Sequence, residues 1–370
     1  MKVGTDFSGI GAPEMALKYL GIDFESEFAC EIDKYARQSF KQLHKPNTFY
    51  NDITTRNHKE VEQLDLYVAG FPCQAFSMAG KRKGFEEARG TLFFNVAEFI
   101  QINKPKVFLL ENVKGLLSHD KGNTFQTIVD ILSNGGGTQN GQISLDVFED
   151  GLGYHIYWQV LNTKDYGIPQ NRERIFIVGF KDFREFSFPK LMELKLKLVD
   201  ILQDNPKFAI SGKYQPYPRN YKELGLERIE IFEKREDSLS NCLLANVMSY
   251  VEVEDKYYLS DKLIQSFTKH KERHTEKGTG FKWEVKKKDD VANCLRANAS
   301  LCPTDNTIEV KNKIRRLTPL ECWRLQGFRD EDFFSVKDVS DTQLYKQAGN
   351  SITVNVLMEI FKKIYANHNK

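Results

Sequence analysis

The sequence predicts an α/β fold: a doubly wound sheet carrying a second, smaller and less regular domain. Three observations point there. Short β-rich runs alternate with amphipathic stretches through the first half of the chain. Beyond about Phe183 that alternation fades into scattered prolines, tyrosines and charges. The chain has 370 residues, enough for one large domain with a smaller one appended.

The elements follow in order. Lys2–Asp6 reads as a strand, and Pro13–Leu20 as a helix with proline near its start and Gly21 just past its end. Phe24–Cys30 is the next strand, Lys34–Leu43 the next helix, and Leu64–Ala69 a strand that ends at GFPCQ. Thr91–Ile102 reads as helix, Lys106–Leu110 as a strand ending at ENV, and Phe125–Ser133 as helix. Tyr154–Leu161 and Arg174–Phe180 close the series as strands. The glycine-rich stretch Asn134–Gly153 reads as a surface insertion. Residues 184–313 are expected to form the second domain, in which NCLLAN (Asn241–Asn246) and NCLRAN (Asn293–Asn298) mark two similar strand–turn elements. Residues 314–370 return to helical order, with an amphipathic helix from about Val354. This tail is expected to join residues 1–183 in one discontinuous domain.

Composition narrows the function classes. Hydrophobic residues make up 41% and charged residues 28%, as in an ordinary soluble globular protein. The N-terminus MKVGTDFSGI has no apolar core or cleavage pattern, and no run of 18 apolar residues exists. No membrane association and a cytoplasmic location are therefore expected. The six cysteines form no C-x-x-C pair and no Cys/His cluster with zinc spacing, so neither a metal nor disulfides are expected. For Cys73 this leaves core residue or nucleophile. The net charge of +2 demands no polyanionic partner, but Lys262–Lys288 carries nine Lys/Arg against three Asp/Glu. Such a run is either a solvated face or a phosphate-contacting patch.

Four strand ends carry candidate chemistry. Asp6-Phe7-Ser8-Gly9-Ile10-Gly11 lies between a strand and a helix, where glycines let the backbone turn tightly and approach a ligand. It lacks the full G-x-G-x-x-G, and no P-loop lysine follows. Glu31 ends the next strand, placed to bond a ribose hydroxyl, and Asp52 follows in the turn NDI. These acids suit a nucleoside with a cationic appendage, a description that S-adenosylmethionine meets. Cys73 ends a further strand, and the loop after it carries Lys81, Arg82, Lys83 and Arg89. Cations favour the attacking thiolate, and a long basic loop suits a lid over nucleic acid. Glu111-Asn112 ends the run KVFLL, where a carboxylate facing the same crevice is a candidate general acid. In QNRER, Arg172 and Arg174 alternate and so point to one side of an extended segment, either as a surface ion pair or as anchors for a base, a phosphate or the acid.

In this order the pieces resemble the DNA cytosine-5 methyltransferases, over the first ~180 and last ~55 residues. DFSGIG resembles the family's cofactor loop, GFPCQAFS its Pro-Cys motif and GKRKGFEEARGTLFF its catalytic loop. ENV, QNRERIFIVG, RRLTPLECWRLQGF and QAGNSITVNVL resemble its remaining motifs. The resemblance implies a Rossmann-like S-adenosylmethionine-dependent methyltransferase sheet with a target-recognition domain at 184–313. It implies that Cys73 adds to C6 of a flipped-out cytosine, that Glu111 acts at N3, and that Asn112 orients Glu111 or the loop backbone. Arg172 and Arg174 would hold the base and Glu111. Phe7, Gly9, Ile10, Gly11, Glu31, Asp52, Ile53, Pro72, Leu92, Asn350 and Ser351 would hold the cofactor, leaving S-adenosylhomocysteine as product. Gln74, Ser77, Lys81, Arg82, Lys83 and Arg89 would meet double-stranded DNA. A monomeric modification enzyme of a restriction–modification system, or an orphan or phage homologue, is expected, with no physical need for a cognate endonuclease. Family recognition domains carry a Thr-Leu element near the DNA backbone; both hexapeptides here have Cys-Leu, which would bring Cys242 and Cys294 near DNA. The alternatives are a transfer-RNA cytosine-5 methyltransferase, a catalytically silent DNA-binding regulator and a thiol oxidoreductase. The recognition region of about 130 residues favours DNA, and the intact Cys73/Glu111/Arg172 set argues against a silent regulator.

Overall fold

The computed structural model describes residues 1–72, 92–133, 151–203, 253–279, 282–297, 300–310 and 312–365. These fall into two compact units. The first comprises Met1–Tyr166, Glu173–Leu191 and Ile352–Lys370, the second Gly167–Arg172 and Met192–Ser351.

The first unit is built on β1 (Lys2–Asp6), α1 (Ala12–Leu20), β2 (Glu25–Cys30), α2 (Lys34–Leu43), β3 (Thr48–Tyr50), β4 (Leu66–Ala69), α3 (Leu92–Asn103), β5 (Val107–Val113), α4 (Asn123–Leu132) and β6 (His155–Asn162). After β7 (Gln170–Asn171), which belongs to the second unit, it is completed by β8 (Glu173–Phe180). Its sheet has the order β3-β2-β1-β4-β5-β8-β6. β3, β2, β1, β4 and β5 run parallel, and β8 is antiparallel to both β5 and β6. The order reverses at β1, which places a switch point at the carboxyl ends of β1 and β4, where open α/β sheets bind ligands.

The elements form for local reasons. Pro13 sits in the first turn of α1, and Gly21 closes it at φ 68°, where its amide donates to the last carbonyls. Asp33 caps α2 by accepting from the amides of Tyr35 and Ala36. The aromatic core between the sheet and α3 includes Phe28, Tyr67, Phe93, Phe99 and Phe108. The helix Val354–Tyr365 packs against α1, and Thr353 shares a hydrogen bond with Thr163 at 3.0 Å.

A charged pair sits inside this core. The Arg56 guanidinium donates to both oxygens of Asp6 at 2.8 and 2.7 Å, and Tyr67 Oη donates to Asp6 at 2.6 Å. The guanidinium also lies 4.4 Å from the Phe28 ring centroid and 4.6 Å from that of Phe99. Both charged side chains are fully buried.

The second unit holds α5 (Asp261–Glu276), β9 (Val285–Lys286), β10 (Ala292–Asn293), β11 (Thr307–Val310) and β12 (Lys313–Arg316). β12-β11-β9 form a small sheet, and β10 pairs with β7. Short helices Pro319–Arg324, Asp330–Ser335 and Asp341–Asn350 follow. Arg315 makes a bidentate pair with Glu321 at 2.8 and 2.8 Å, and Glu321 also accepts from the Thr318 amide at 2.8 Å. Arg315–Ser351 thus groups with the second unit and only the chain from Ile352 with the first. NCLLAN and most of the insertion Asn134–Gly153 lie outside the described residues. Among the described residues no helix is long and apolar enough to cross a membrane.

Breaking one side of the buried pair leaves a charge without its partner. Arg56→Met is expected to lower unfolding stability by about 3–5 kcal/mol. Tyr67→Phe, which keeps the pair and removes one hydrogen bond to it, should cost about 2 kcal/mol. Urea denaturation checks both, and equal losses would mean that the guanidinium has no special weight.

Candidate active site

The glycine loop leaves β1 at Asp6 and turns immediately. Phe7, Gly9 and Gly11 all have positive φ, at 53°, 54° and 80°. Glycine is required at position 11, because a Cβ there would lie 2.3 Å from the His44 ring. At Gly9 a Cβ would meet nothing within 4 Å, so the loop has open space there. Ser8 ties the turn to the next strand: its hydroxyl donates to the Cys30 carbonyl at 3.0 Å and accepts from the Cys30 amide at 2.9 Å.

Glu31 faces the same turn. Its carboxylate accepts from the Gly9 amide and from the Asp33 amide, each at 2.8 Å. Burial pushes its carboxyl upward, and these amide bonds pull the other way. Asp52 follows β3 and is held by the amide and hydroxyl of Thr54, both at 2.8 Å, with Ile53 buried behind it. Phe7, Gly9, Ile10, Gly11, Glu31, Asp52 and Ile53 all belong to the first unit, as do Pro72, which is exposed, and Leu92, which opens α3.

Glu111 and Asn112 lie near the end of β5, which runs on to Val113 instead of stopping at Leu110. It continues because β8 pairs with it through Val113↔Arg174. That register makes Arg174 a diagonal neighbour of Glu111, and Arg174 Nε meets Glu111 Oε1 at 3.0 Å. Both side chains are largely buried. A Cβ on Gly70 would lie 3.5 Å from Glu111 Oε2, so the carboxylate stands beside the end of β4. Asn112 is buried and donates to the Phe71 carbonyl at 2.9 Å, while its Oδ1 accepts from the Val113 amide at 2.8 Å. Asn112 therefore fixes the backbone that leads into Pro72 and Cys73. Cys73, Gln74, Ser77, Lys81, Arg82, Lys83 and Arg89 lie outside the described residues.

The two arginines of QNRER serve different elements. The chain changes partner at Arg172: Gln170–Asn171 pair with Ala292–Asn293, and Glu173 onward pairs in the main sheet. Arg172 is buried in the second unit. It donates to Cys294 Sγ and the Leu295 carbonyl, each at 3.3 Å, and to the carbonyls of Gly349 and Ser351 at 3.0 and 2.8 Å. Gln170 supports the same region by accepting from the Leu295 amide at 3.1 Å and donating to the Leu325 carbonyl at 2.7 Å. Asn350 is exposed and Ser351 buried at the end of this unit.

Sequence reasoning missed Glu14 and Arg56, and gave Gln170 no role of its own within QNRER. Glu14 is fully buried in the first turn of α1 beneath the glycine loop. Thr5 Oγ1, itself 3.0 Å from Ser8 Oγ, donates to Glu14 Oε1 at 2.7 Å. Glu14 Oε2 has no hydrogen-bond partner among the described residues. Burial pushes this carboxyl up to about 7. His44, packed on Gly11, is pushed down to about 4 by burial and is neutral at pH 7.

This sheet, with its glycine loop at the switch point and carboxylates at neighbouring strand ends, defines an α/β protein of the S-adenosylmethionine-dependent methyltransferase type. More narrowly, the chain belongs to the C-5 cytosine-specific DNA methylase family, whose profile matches residues 1–366. It is 36% identical to the type II methyltransferase M.HpaII of Haemophilus parainfluenzae, covering 97% of this chain and 87% of that protein. It is 32% identical to the orphan methyltransferase M.SPRI of Bacillus phage SPR, covering 98% and 97%. Among solved structures it resembles the S. pombe Dnmt2 methyltransferase, with TM-score 0.63 and 17% identity over 100% of both chains, a likeness of fold.

Glu14 yields a pH prediction. An unfolded glutamate ionises near pH 4.5, whereas the buried one holds its proton to about 7. The folded state therefore binds more protons between those values, and stability falls as pH rises through that window, by up to about 3 kcal/mol. Glu14→Gln should remove this loss, so the variant gains on the parent from pH 5 to pH 8 in urea melts. Parallel profiles would refute the assignment.

Proposed function

We propose that this chain is a DNA (cytosine-5)-methyltransferase that acts on a flipped-out cytosine in a specific duplex sequence, through a covalent adduct between Cys73 and C6 of the base. Family membership supports the reaction. The observation that carries the site assignment is the Glu111–Arg174 pair beside Gly70, three residues ahead of Cys73.

The loop residues fit S-adenosylmethionine. Gly9 offers open space, and Glu31, held by the Gly9 amide, is a carboxylate placed to accept from a ribose diol. Asp52 offers an acceptor to an adenine amino group, and Ile53 an apolar surface to the ring. When bound, the cofactor supplies an electrophilic methyl group.

The remaining chemistry falls to this chain's own side chains. Cytosine C5 is a poor nucleophile. The Cys73 thiolate adds to C6 and moves the C5=C6 electron pair onto C5. Glu111 protonates or hydrogen-bonds N3 and stabilises that charge, with Arg174 aiming its carboxyl. Asn112 holds the backbone ahead of the nucleophile through the Phe71 carbonyl. After C5 has been methylated, loss of its proton expels the thiolate and restores the ring. These atoms are out of reach inside a duplex, so the nucleotide must leave the stack. Residues 184–313 are proposed to read the target sequence. The reaction needs one chain and one duplex, so a monomer is proposed, with any cognate endonuclease a separate molecule.

Cys73→Ser is expected to abolish methyl incorporation into duplex DNA while leaving S-adenosylmethionine binding intact. Glu111→Gln should lower kcat by about 10²–10⁴-fold. Radiolabel transfer and calorimetry measure the two, and bisulfite sequencing of DNA from an expressing host identifies base and site. Substantial turnover by Cys73→Ser would sink the nucleophile assignment; transfer to transfer RNA and not to duplex DNA would sink the substrate.

A further inference from the structure

The basic run in the second unit folds as a helix with a sorted surface. α5 begins at an N-cap, Ser260, whose hydroxyl accepts from the Leu263 amide. Its single buried residue is Phe267, which packs edge-on against Trp283 at 5.6 Å. Trp283 Nε1 in turn donates to Thr307 Oγ1 at 3.0 Å and so ties the helix to β11. On the same side His270 stacks on His274 at 4.2 Å, and His274 shares a hydrogen bond with Thr279 at 2.6 Å.

The other side carries Lys262, Ser266, Lys269, Arg273 and Lys277, all exposed. At 100° per residue these positions fall within one narrow stripe, well away from Phe267. The stripe runs about 22 Å along the axis, the rise of about six base pairs. Its four cations form no ion pair among the described residues. Helix stability does not account for them. A cation near a helix C-terminus complements the dipole, which explains Arg273 and Lys277, but Lys262 in the first turn works against it.

We infer that the Lys262–Lys269–Arg273–Lys277 stripe of α5 is a phosphate-contacting surface that holds the duplex backbone during methylation. The inference rests on the DNA methylation proposed above. Glu276 borders the stripe and Glu272 lies further round, yet among the described residues neither forms an ion pair with its cations. Four cations in a row on a helix anchored from behind by Phe267 and Trp283 match a regularly spaced polyanion. Such contacts position the duplex and give affinity without sequence information.

The test is the salt dependence of duplex binding by the full chain. Each phosphate that a cation neutralises adds about 0.9 to the steepness of log K against log salt. Changing all four residues to Gln should therefore flatten the slope by about 3–4, with S-adenosylmethionine affinity unchanged. Lys262→Gln/Lys269→Gln and Arg273→Gln/Lys277→Gln should each give about half of that, which keeps the test decisive if the quadruple variant folds poorly. Lys271→Gln, on the opposite flank, should leave the slope as it was. A wild-type slope in both double variants would overturn the surface while leaving DNA methylation standing. A parent protein that neither binds nor methylates duplex DNA would overturn the functional reading as well.

Discussion

The Asp6–Arg56 pair is the constraint on which the first unit depends. Two charges taken out of water are tolerated only where every lone pair and N–H is met, and here they are met from three directions. Arg56 grips both Asp6 oxygens, Tyr67 reaches one of them from β4, and the guanidinium lies on Phe28 and Phe99. The end of β1, the segment after β3, β4 and α3 are thereby locked to one point. The glycine loop starts at that point, since Asp6 is its first residue. Asp6 is thus committed to structure, and Glu31 and Asp52, both half-buried, are the acids left beside the loop. Ser8 then binds the loop to Cys30 and Glu31 accepts from the Gly9 amide, so the chain's own hydrogen bonds hold the loop's curvature.

Much of this fold is legible in the sequence because the relevant signals are local. Lys2–Asp6 and Lys34–Leu43 form where periodicity and caps put them. β3 does not stand out as a strand, because three residues, TFY, carry no usable alternation and gain their pairing only from β2. β5 looks short in sequence, since Glu111 and Asn112 resemble the end of an apolar run; their strand geometry comes from β8, more than sixty residues away. The Asp6–Arg56 pair cannot be read at all. It joins residues fifty apart, one of them inside a motif that looks purely ligand-directed. Glu14 looks like an acid favouring a helix start, and only its burial against Thr5 changes that reading.

The direction of β8 explains why the acid and its arginine can meet. Glu111 sits near the carboxyl end of β5, the edge of the sheet where ligands bind. Arg174 sits at the start of β8. Were β8 parallel to β5, its start would lie at the opposite edge, about 20 Å away for a seven-residue strand. Running antiparallel, β8 delivers its first residues to the carboxyl edge, and the register Val113↔Arg174 leaves one diagonal step to Glu111. Arg172, just before β8, is where the chain passes from its pairing with Ala292–Asn293 into the main sheet. Two arginines at alternate positions thus acquire separate duties. Arg174 holds a carboxylate, and Arg172 binds the backbone of the second unit at Leu295, Gly349 and Ser351. One antiparallel strand in a parallel series is therefore what brings Arg174 to an acid 63 residues earlier in the chain.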